Sequence, residues 1–592
     1  MERQLRQDLE EKIRLDWERK AEAWLAHLQE DDPLRKQLEN IKDDKKQLEE
    51  LFFKDLEFGT GGIRGEIGPG TNRMNMYTVR KAANGLAQYI VEQGCEAMRR
   101  GVVISYDSRH LSPQFALEVA KTVGKHGVKA YLFEELHPTP LLSFAVRYLQ
   151  AFAGVMITAS HNPPQYNGLK VYGEDGSQLA LEASEMITSY IERTGNELAL
   201  TAADEDELVK KGLLIYIGEE IGKAYVDALS AIQLNREAAA SEADALSIVF
   251  TPLHGTAKKH VLDGLAAFGF SKVALVEEQA EPDPDFPTVA SPNPEEDEAF
   301  QLAIEKGKAL DADLLLAADP DADRLGAAVK KKEGGYVLLT GNQLGAILLH
   351  YLLEQKQKNG TLPQNGAVMK TIVTSEFGRA IASHFGMETI DTLTGFKFIG
   401  EKIHEFERTS EYTFLFGYEE SYGYLIGDFV RDKDAVQAAV FTAEAAAYYK
   451  AQGKSLYDVL LSLYEQHGYY KESIQSLTLA GKAGAEKIQQ ILNDFRGDPP
   501  AEVSGLRVAI IEDYSISERI DVLRQEHSAI SLPKANVLKY ILEDGSWFCV
   551  RPSGTEPKCK FYFSVKGDSL EDAEAKLIAL EEAVMERVKK DI

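Results

Sequence analysis

Apolar residues recur along this chain with two different periods, and the change from one period to the other predicts the fold. In the first fifty residues they return every three or four positions, from Leu5 to Leu28, until Asp31-Asp32-Pro33 interrupts the run. This pattern predicts helix. We expect its aromatic residues, Trp17 and Trp24, to pack against the rest of the protein.

Beyond the N-terminal helix, short apolar runs alternate with helical patterns, which is typical of parallel sheets covered by helices. The predicted strands are Val102–Ser105, Val128–Phe133, Leu246–Phe250, Lys272–Val276, Leu314–Ala318, Val368–Thr374 and Thr413–Phe416. The predicted helices are one that begins at Ser112-Pro113 with the serine as N-cap, and Ala257–Phe268, Gln343–Leu353 and Gly378–Phe385. The repetition suggests two or three similar α/β units.

The last 120 or so residues follow a different pattern. We predict a strand over Gly505–Asp513, a hairpin of Val537–Leu542 and Trp547–Val550, a strand over Lys560–Val565 and a closing helix from about Leu570 to Lys589. This order indicates an α+β region. The whole chain has 592 residues, enough for about three to five domains.

Composition narrows the classes of partner. The formal net charge of -28 argues against nucleic acid or an anionic membrane as the main partner, although a basic pocket for a small phosphate ester remains compatible with it. Cys95, Cys549 and Cys559 have neither disulfide-framework nor zinc-site spacing. The sequence shows neither an apolar signal core nor an apolar run of about eighteen residues, so we expect a cytoplasmic protein.

One polar loop stands out, because it follows a buried apolar run at 155–157 and places Ser160 at the predicted strand tip. A serine hydroxyl can carry a covalent group only when a neighbour activates it, and His161 and Lys170 are close in sequence. Taken alone, this segment is more simply a Ser/Asn/Pro turn. Other loops along the chain favour the chemical interpretation.

The second loop, 319–324, carries aspartates at alternate positions after the strand Leu314–Ala318. In an extended segment, alternate side chains point the same way, so the three carboxylates would converge and need a cation between them. Oxygen ligands suit a hard divalent ion such as Mg²⁺, which often shares its shell with a phosphate. An EF-hand is excluded, because its required glycine and glutamate positions hold Arg324 and Lys330.

Two further loops offer groups that recognise sugars and phosphates. Glu419 and Ser421 follow the strand Thr413–Phe416, and their spacing lets both face the hydroxyls of a sugar. The segment 551–558 combines an arginine, two hydroxyls and a glycine turn, which is suited to binding a phosphate group. A glycine-rich turn at 58–65 adds Arg64 but lacks the order of a P-loop.

Taken together and in this order, the loops TASHNP, DPDADR, GYEES and RPSGTEP resemble those of the α-D-phosphohexomutase family, over nearly the whole chain from Gly59 to Lys560. The long N-terminal helix and the segments 284–287 and 292–295 are most similar to the branch of bacterial phosphoglucomutases and phosphopentomutase-like enzymes. Two departures are Tyr418, which separates Gly417 from Glu419, and Tyr424, where some mannose-active members carry a histidine.

The resemblance implies roles for named residues. The catalytic set would be Ser160 as phosphoserine, His161, Lys170, Arg64 and Arg324, with His161 or Lys170 as the base. The Mg²⁺ ligands would be Ser160, Asp319, Asp321 and Asp323. The substrate-binding set would be Thr394, Gly395, Lys397, Glu419, Ser421, Lys433, Arg551, Ser553, Gly554 and Thr555.

The resemblance also implies an architecture: three related mixed α/β sandwich domains and a C-terminal α+β domain around a central cleft. The expected boundaries are 1–212, 213–333, 334–466 and 467–592. The expected activity is that of a phosphoglucomutase working through glucose 1,6-bisphosphate, in a monomer or weak dimer. A phosphopentomutase or a phosphomannomutase is the alternative. A sugar-phosphate-binding protein that has lost catalysis is disfavoured by the intact serine and aspartates.

Overall fold

The computed structural model of the protein describes residues 16–59, 61–242, 245–479, 481–553 and 558–590. The chain divides into two compact, discontinuous units. The first unit runs up to Lys330 and takes in Gly400–Arg408 and Gly423–Tyr448. The second contains Lys331–Ile399, Thr409–Tyr422 and the chain from Tyr449 onward. The four domain ranges stay a prediction.

The first sheet of the first unit has the predicted serine strand near its centre. Its order from edge to edge is Gly62–Glu66, Tyr166–Tyr172, Ala153–Ile157, Val102–Tyr106, Ala130–Phe133 and Leu214–Ile217. The last four strands are parallel, and each of the first two runs antiparallel to its neighbour. Every residue of the two central strands is buried, as expected for parallel strands covered on both faces.

A second sheet in this unit repeats the arrangement. Its neighbouring strands are Leu325–Lys330, Leu314–Ala318, Ile248–Thr251 and Val273–Leu275. Leu325–Lys330 runs antiparallel to Leu314–Ala318. The strand Ile248–Thr251 runs parallel to both of its neighbours, Leu314–Ala318 and Val273–Leu275. In both sheets, therefore, the strand that precedes a predicted polar loop is buried and internal.

Helices of the first unit connect and cover these strands. Its helices are 16–27, Pro33–Ile41, Lys45–Phe52, Met76–Glu92, Cys95–Arg100, Ser112–Lys125, Thr139–Tyr148, Leu181–Arg193, Glu205–Lys210, Glu219–Ala228, Arg236–Glu242, Lys258–Ala267 and Gln301–Leu310. Short 3₁₀ turns occupy Glu197–Ala199, Leu229–Ile232, Glu277–Gln279 and Asp297–Phe300. A short strand, Gly423–Leu425, also belongs to this unit.

The expected serine cap at Ser112 is wrong by one position. Leu111 precedes the helix, with a left-handed φ of 63°, and Ser112 is its first residue. The hydroxyl of Ser112 donates to the buried carboxylate of Asp107 at 2.7 Å, so it is not available to cap the helix. The buried carboxylate of Asp107, in the loop just before the helix, thus takes the hydroxyl that would otherwise cap it.

The second unit contains three parallel strands and a large antiparallel sheet. Gly366–Thr371 lies between Glu388–Thr392 and Thr413–Glu419. The antiparallel sheet has the order Tyr469–Thr478, Lys558–Gly567, Trp547–Pro552, Leu538–Leu542, Leu506–Asp513, Glu518–Asp521 and Glu526–Ala529, with Glu502–Val503 beside Leu506–Asp513. The predicted change to an α+β pattern in the last 120 or so residues is confirmed.

The remaining elements of the second unit are a strand and five helices: Tyr336–Leu339, Gly341–Lys358, Phe377–His384, Leu456–His467, Gly481–Gly497 and Leu570–Lys590. Two more helices, Phe396–Thr409 and Ala435–Lys450, include residues of both units. In the described ranges, we find no helix with the length and apolar character needed to cross a membrane.

The described part of the N-terminal helix packs onto the first unit, as predicted. Trp24 is fully buried; its indole Nε1 donates to Glu197 Oε1 at 2.9 Å, and its ring makes edge contacts with Phe52 and Tyr77. The cluster around it is Trp17, Ala21, Leu28, Leu38, Leu48, Leu51, Phe52 and Leu198. Leu5, Leu9 and Ile13 lie outside the described residues.

We expect Trp24→Ala to lower the free energy of unfolding of the first unit by about 3–5 kcal/mol, because it leaves a large cavity and removes the hydrogen bond to buried Glu197, which then keeps, among the described residues, only its 3.8 Å contact with Lys81. Denaturant titration followed by circular dichroism measures the loss. Phe53→Ala serves as the control, since Phe53 is 46% exposed and its truncation should change stability by only about 0.5 kcal/mol. Equal unfolding midpoints for the two variants would contradict the packing role of Trp24.

Candidate active site

Ser160 follows the buried strand Ala153–Ile157, as the sequence predicted, and its backbone is left-handed with a φ of 51°. Its amide donates to Thr158 Oγ1 at 2.8 Å, which closes a tight turn at the strand end. The Ser160 hydroxyl donates to Asp319 Oδ2 at 2.6 Å and lies 3.2 Å from His161 Nδ1. The tertiary structure therefore joins the serine loop to the aspartate loop.

The aspartates at 319, 321 and 323 converge, but not for the reason expected from the sequence. The segment is a turn, not an extended strand: Ala322 has a φ of 54°, and its amide donates to the Asp319 carbonyl at 2.9 Å. One oxygen from each carboxylate lies within 4.8 Å of the others, and all three side chains are buried. Alternate spacing in an extended segment would only have placed the three carboxylates on one face. The turn brings them close to one another.

The donor set fits a metal ion. Asp321 Oδ1 and Asp323 Oδ1 are buried, and neither accepts a hydrogen bond from any described residue. Buried carboxylate oxygens without donors are costly, and a hard divalent cation satisfies several of them at once. These three residues can therefore hold a metal, next to the hydroxyl of Ser160.

Two lysines partly balance the charge of the three carboxylates, a compensation that the sequence pattern did not predict. Lys170 Nζ lies 3.0 Å from Asp321 Oδ2 and 3.6 Å from Asp323 Oδ2. Lys433 Nζ lies 3.1 Å from Asp323 Oδ2 and 3.0 Å from Asp432 Oδ1. Both lysines are far from the aspartates in sequence, so their pairing could not be inferred from local spacing.

Burial and neighbouring charges shift the pKa values of Asp319, Lys170 and His161 in different directions. Burial, reinforced by Asp321 and Asp323, raises the pKa of Asp319 well above its ordinary value. Burial alone would lower the pKa of Lys170, but the two carboxylates outweigh it and the pKa is raised. Burial, together with nearby Arg324, holds the pKa of His161 well below its ordinary value. His161 is accordingly neutral at pH 7, whereas Lys170 is a cation.

Arg64 and Arg324 both lie beside these loops. Arg64 is exposed on the strand Gly62–Glu66, and its guanidinium donates to Asn162 Oδ1 at 3.3 Å. Arg324 donates to Glu295 Oε1 at 2.6 Å and lies 3.7 Å from Asp323 Oδ1. The structure thus brings together all five predicted catalytic residues, the three aspartates and Lys433 within the first unit.

In the second unit, the structure joins two predicted loops. Glu419 is 5% exposed, and its Oε1 accepts the amide of Gly395 at 3.0 Å. The hydroxyl of neighbouring Thr394 is buried without a hydrogen-bond partner among the described residues. Lys397 is buried one position into the helix Phe396–Thr409. The glutamate therefore orients the backbone of the segment 394–397, which carries three of the predicted substrate-binding residues.

The expected loop at Gly417–Glu419 is wrong, because the strand continues to Glu419. Gly417 and Tyr418 pair in parallel with Met369 and Lys370, so a long-range ladder extends the strand beyond the apolar run. Ser421 lies in the turn that follows the strand.

The predicted phosphate loop is described only in part. Arg551 is half-buried on the strand Trp547–Pro552, and its guanidinium donates to Tyr562 Oη at 3.4 Å. The amide of Ser553 donates to the Lys558 carbonyl at 2.7 Å. Gly554 and Thr555 lie outside the described residues. Arg551 and Ser553 are thus at one end of the strand pair Trp547–Pro552 and Lys558–Gly567.

Sequence reasoning missed the loop 252–256, which supports the aspartate loop. A Cβ on Gly255 would lie 2.3 Å from Pro320 Cα, so the two backbones touch. Thr256 donates to the Pro320 carbonyl from both its amide, at 2.9 Å, and its hydroxyl, at 3.0 Å. The signal was available: a polar turn with glycine directly follows the buried strand Ile248–Thr251.

Comparison with known proteins gives matches along most of the chain. Four models of phosphoglucomutase/phosphomannomutase match in order: alpha/beta/alpha domain I at residues 55–197, domain II at 223–334, domain III at 340–467 and the C-terminal domain at 495–581. Their order agrees with that of the predicted loops.

Curated relatives are similar over almost their full length. A phosphoglucomutase of Staphylococcus epidermidis is 42% identical over 541 residues, covering 91% of this chain and 95% of its own. A phosphoglucomutase of Staphylococcus aureus is 40% identical over 559 residues, covering 94% and 98%.

Solved structures share the fold at lower identity. A phosphoglucomutase/phosphomannomutase family protein of Burkholderia thailandensis gives a TM-score of 0.63 at 19% identity, covering 90% of this chain and 97% of its own. Parafusin of Paramecium, in an open form, gives a TM-score of 0.65 at 17% identity, covering 91% and 96%.

We expect Asp321→Asn to weaken divalent-metal binding by about tenfold or more, because it removes one charge and one strong oxygen ligand while keeping the side-chain shape. Calorimetric titration of the variant with a divalent cation measures the loss. The matched control is Asp311→Asn. Asp311 lies just before the strand Leu314–Ala318, which Asp321 follows, but its side chain is 85% exposed. If both variants bind metal like the parent protein, the aspartate loop is not the metal site.

Proposed function

We propose that this chain, which belongs to the phosphoglucomutase/phosphomannomutase family, interconverts α-D-glucose 1-phosphate and glucose 6-phosphate. The four family models and the relatives at 40–42% identity confirm the family, the fold class and the phosphoglucomutase type of enzyme predicted from the sequence. The observation that carries the proposed chemistry is the 2.6 Å contact between the Ser160 hydroxyl and Asp319, inside a group of three buried carboxylates.

Ser160 is the proposed phosphoryl carrier. In the first half-reaction, the bond from Ser160 Oγ to phosphorus breaks, and a sugar hydroxyl forms the new bond and loses its proton to a base. His161 and Lys170 both lie beside the serine or the aspartates. His161 is the better candidate base, because it is neutral at pH 7, whereas Lys170 is held as a cation and would first have to lose its proton. The product is glucose 1,6-bisphosphate. Ser160 Oγ leaves with a proton taken from the base. After the bisphosphate turns round, Ser160 Oγ returns that proton to the base and forms a bond to the other phosphorus. The bond from this phosphorus to the sugar oxygen breaks, the sugar oxygen takes up the proton, and the isomeric glucose phosphate leaves the regenerated phosphoserine.

Charge neutralisation is the main demand of phosphoryl transfer. Asp319, Asp321 and Asp323 are the proposed Mg²⁺ ligands, together with the phosphorylated Ser160. When bound, Mg²⁺ would supply positive charge next to the transferring group. Lys170 and Lys433 keep the carboxylates in place, and Arg64 and Arg324 supply guanidinium groups next to the serine loop.

Substrate recognition is proposed for the second unit. Glu419 and Ser421 would bind sugar hydroxyls, and the Glu419 contact with Gly395 supports a coupled role for the segment 394–397. Arg551, with Ser553, Gly554 and Thr555, would bind the phosphate that is not being transferred. The predicted cytoplasmic location and the monomeric or weakly dimeric state stay predictions.

Phosphopentomutase or phosphomannomutase activity is the alternative within the same mechanism. Turnover of purified protein with the 1-phosphates of glucose, mannose, ribose and glucosamine discriminates between them. Highest kcat/KM for the glucose ester is the expected result. No turnover with any of the four would leave a binding protein as the better conclusion.

We expect Ser160→Ala to abolish phosphorylation of the protein and to reduce mutase turnover by several orders of magnitude, since the phosphoryl acceptor is removed. Intact-mass analysis after incubation with glucose 1,6-bisphosphate should show added phosphate on the parent protein and none on the variant. Ser143→Ala is the control, because Ser143 is also buried in the first unit but bonds to the Gly176 carbonyl. Near-normal turnover in Ser160→Ala would eliminate the phosphoserine mechanism.

We expect Arg551→Ala to weaken substrate binding in both reaction directions, because a bidentate, permanently charged donor is lost. Steady-state kinetics should show a higher KM, and a lower kcat as well if the remote phosphate orients the reacting hydroxyl. Phosphorylation of Ser160 by bound donor should still be detectable by mass. Arg507→Ala is the control, because Arg507 is exposed and pairs with Glu543. Unchanged KM and kcat/KM for both substrates would exclude this loop.

A further inference from the structure

Arg109 is a fully buried arginine that none of the proposed catalytic steps uses. It lies just beyond the strand Val102–Tyr106, which neighbours the serine strand in the first sheet. Its whole side chain is shielded from solvent, as is that of Asp107 beside it. A buried guanidinium is retained only where its donors are satisfied, so its partners indicate what it does.

Those partners are the carbonyl groups of the serine loop. One terminal nitrogen donates to Pro163 O at 2.9 Å and to Tyr166 O at 3.0 Å. The other donates to Ser160 O at 2.6 Å and also to Asn162 O. Four carbonyls within seven residues therefore converge on a single side chain.

The remaining donor of Arg109 faces a carboxylate. Its Nε lies 3.4 Å from Asp107 Oδ2, while Asp107 Oδ1 accepts the Arg109 amide at 3.0 Å and the Ser112 hydroxyl at 2.7 Å. The four terminal N–H groups of Arg109 thus donate to carbonyls, whereas Nε pairs with Asp107 by charge and makes no hydrogen bond among the described residues. Lysine has only three donors on a single nitrogen, so it cannot reproduce this set.

The segment 285–291 packs against the same guanidinium. The centre of the Phe286 ring lies 5.0 Å from the guanidinium carbon of Arg109, and Phe286 is 1% exposed. Its backbone is left-handed, with a φ of 46°, a conformation that disfavours a bulky residue. The neighbouring Asp285 lies 2.7 Å from His110 Nε2, and Ser291 donates to the His161 carbonyl at 3.3 Å. The segment 285–291 thus contacts Arg109 and His110 directly, and it contacts the serine loop at His161.

We infer that Arg109 is a positioning residue for Ser160, held in place by Asp107 and Phe286. The backbone of Ser160 is left-handed, which a non-glycine residue adopts only when its surroundings impose it. Arg109 supplies that constraint by binding the carbonyl of Ser160 itself and three carbonyls that follow it in the loop. The constraint directs the Ser160 hydroxyl at Asp319, where the phosphoryl group is proposed to reside.

Arg109→Lys tests this inference, which rests on the proposed function for its kinetic readout. We expect kcat to fall by about 100-fold while KM changes by less than about threefold, because the serine is displaced but the proposed substrate-binding residues are untouched. Hydrogen exchange followed by mass spectrometry should show faster exchange of the amides in 158–166. Phe286→Leu, a milder change, should move both readouts in the same direction by a smaller factor.

Arg100→Lys is the matched control. Arg100 also donates to two backbone carbonyls, those of Gln150 and Ala151, but at the opposite end of the same sheet. It should leave kcat and the exchange of 158–166 unchanged. If Arg109→Lys behaves like Arg100→Lys, or lowers kcat without loosening 158–166, the positioning role is wrong. If Arg109→Lys does not fold, Phe286→Leu decides by the same criteria.

The two hypotheses can fail separately. If the parent protein converts no sugar phosphate but Arg109→Lys accelerates exchange in 158–166 relative to Arg100→Lys, the proposed function is wrong and the positioning of the loop stands. If the parent protein is an active mutase and the exchange of 158–166 is the same in both variants, the inference is wrong and the proposed function stands.

Discussion

The first unit depends on one electrostatic constraint, the burial of three like-charged carboxylates within a few ångströms of one another. Asp319, Asp321 and Asp323 repel one another strongly in a poorly polarisable interior. Cations must be brought to them from elsewhere in the chain. Lys170 comes from the adjoining sheet, and Lys433 comes from a loop more than one hundred residues later.

Backbone contacts with other segments hold the aspartate loop in the shape that brings its carboxylates together. The Asp321 carbonyl accepts the amide of Thr139, and the Ala322 carbonyl accepts the amide of Ala435 at the start of a helix. Gly255 allows a third backbone to touch Pro320. Backbone groups from three separate segments thus fix the turn, and only then do its side chains converge.

In the second unit, a buried cation has the corresponding structural role. Lys370 is fully buried, and its ammonium contacts Glu376 Oε1 at 2.9 Å and Asp391 Oδ1 at 3.0 Å. It sits on the strand that pairs with Tyr418, next to Glu419. Buried ion pairs of this kind add little net stability to the folded protein. Removing one partner, however, leaves an uncompensated buried charge and is strongly destabilising. Here the pairing lies beside the strand end that presents Glu419 to the amide of Gly395.

The sequence by itself determined the alternation of strands and helices, the order of the polar loops and the residue types in each loop. These features are local: burial periodicity fixes the strands, and glycine, proline and polar residues mark where they end. The buried strands before Ser160 and Asp319, and the family resemblance, followed from such signals. The cap at Ser112 was predicted wrongly because the buried carboxylate of Asp107 binds its hydroxyl. The loop at Gly417–Glu419 was predicted wrongly because pairing with a distant strand extends the ladder.

Only the tertiary structure decided which groups meet. The contact of Ser160 with Asp319 joins positions 159 residues apart, and the carbonyl contacts of Arg109 join positions more than fifty apart. The turn at Ala322, which gathers the aspartates, is likewise stabilised by neighbours from other segments. No local propensity encodes these distances. They follow from the parallel order of the strands, which brings the loops at their carboxyl ends to the same edge of each sheet.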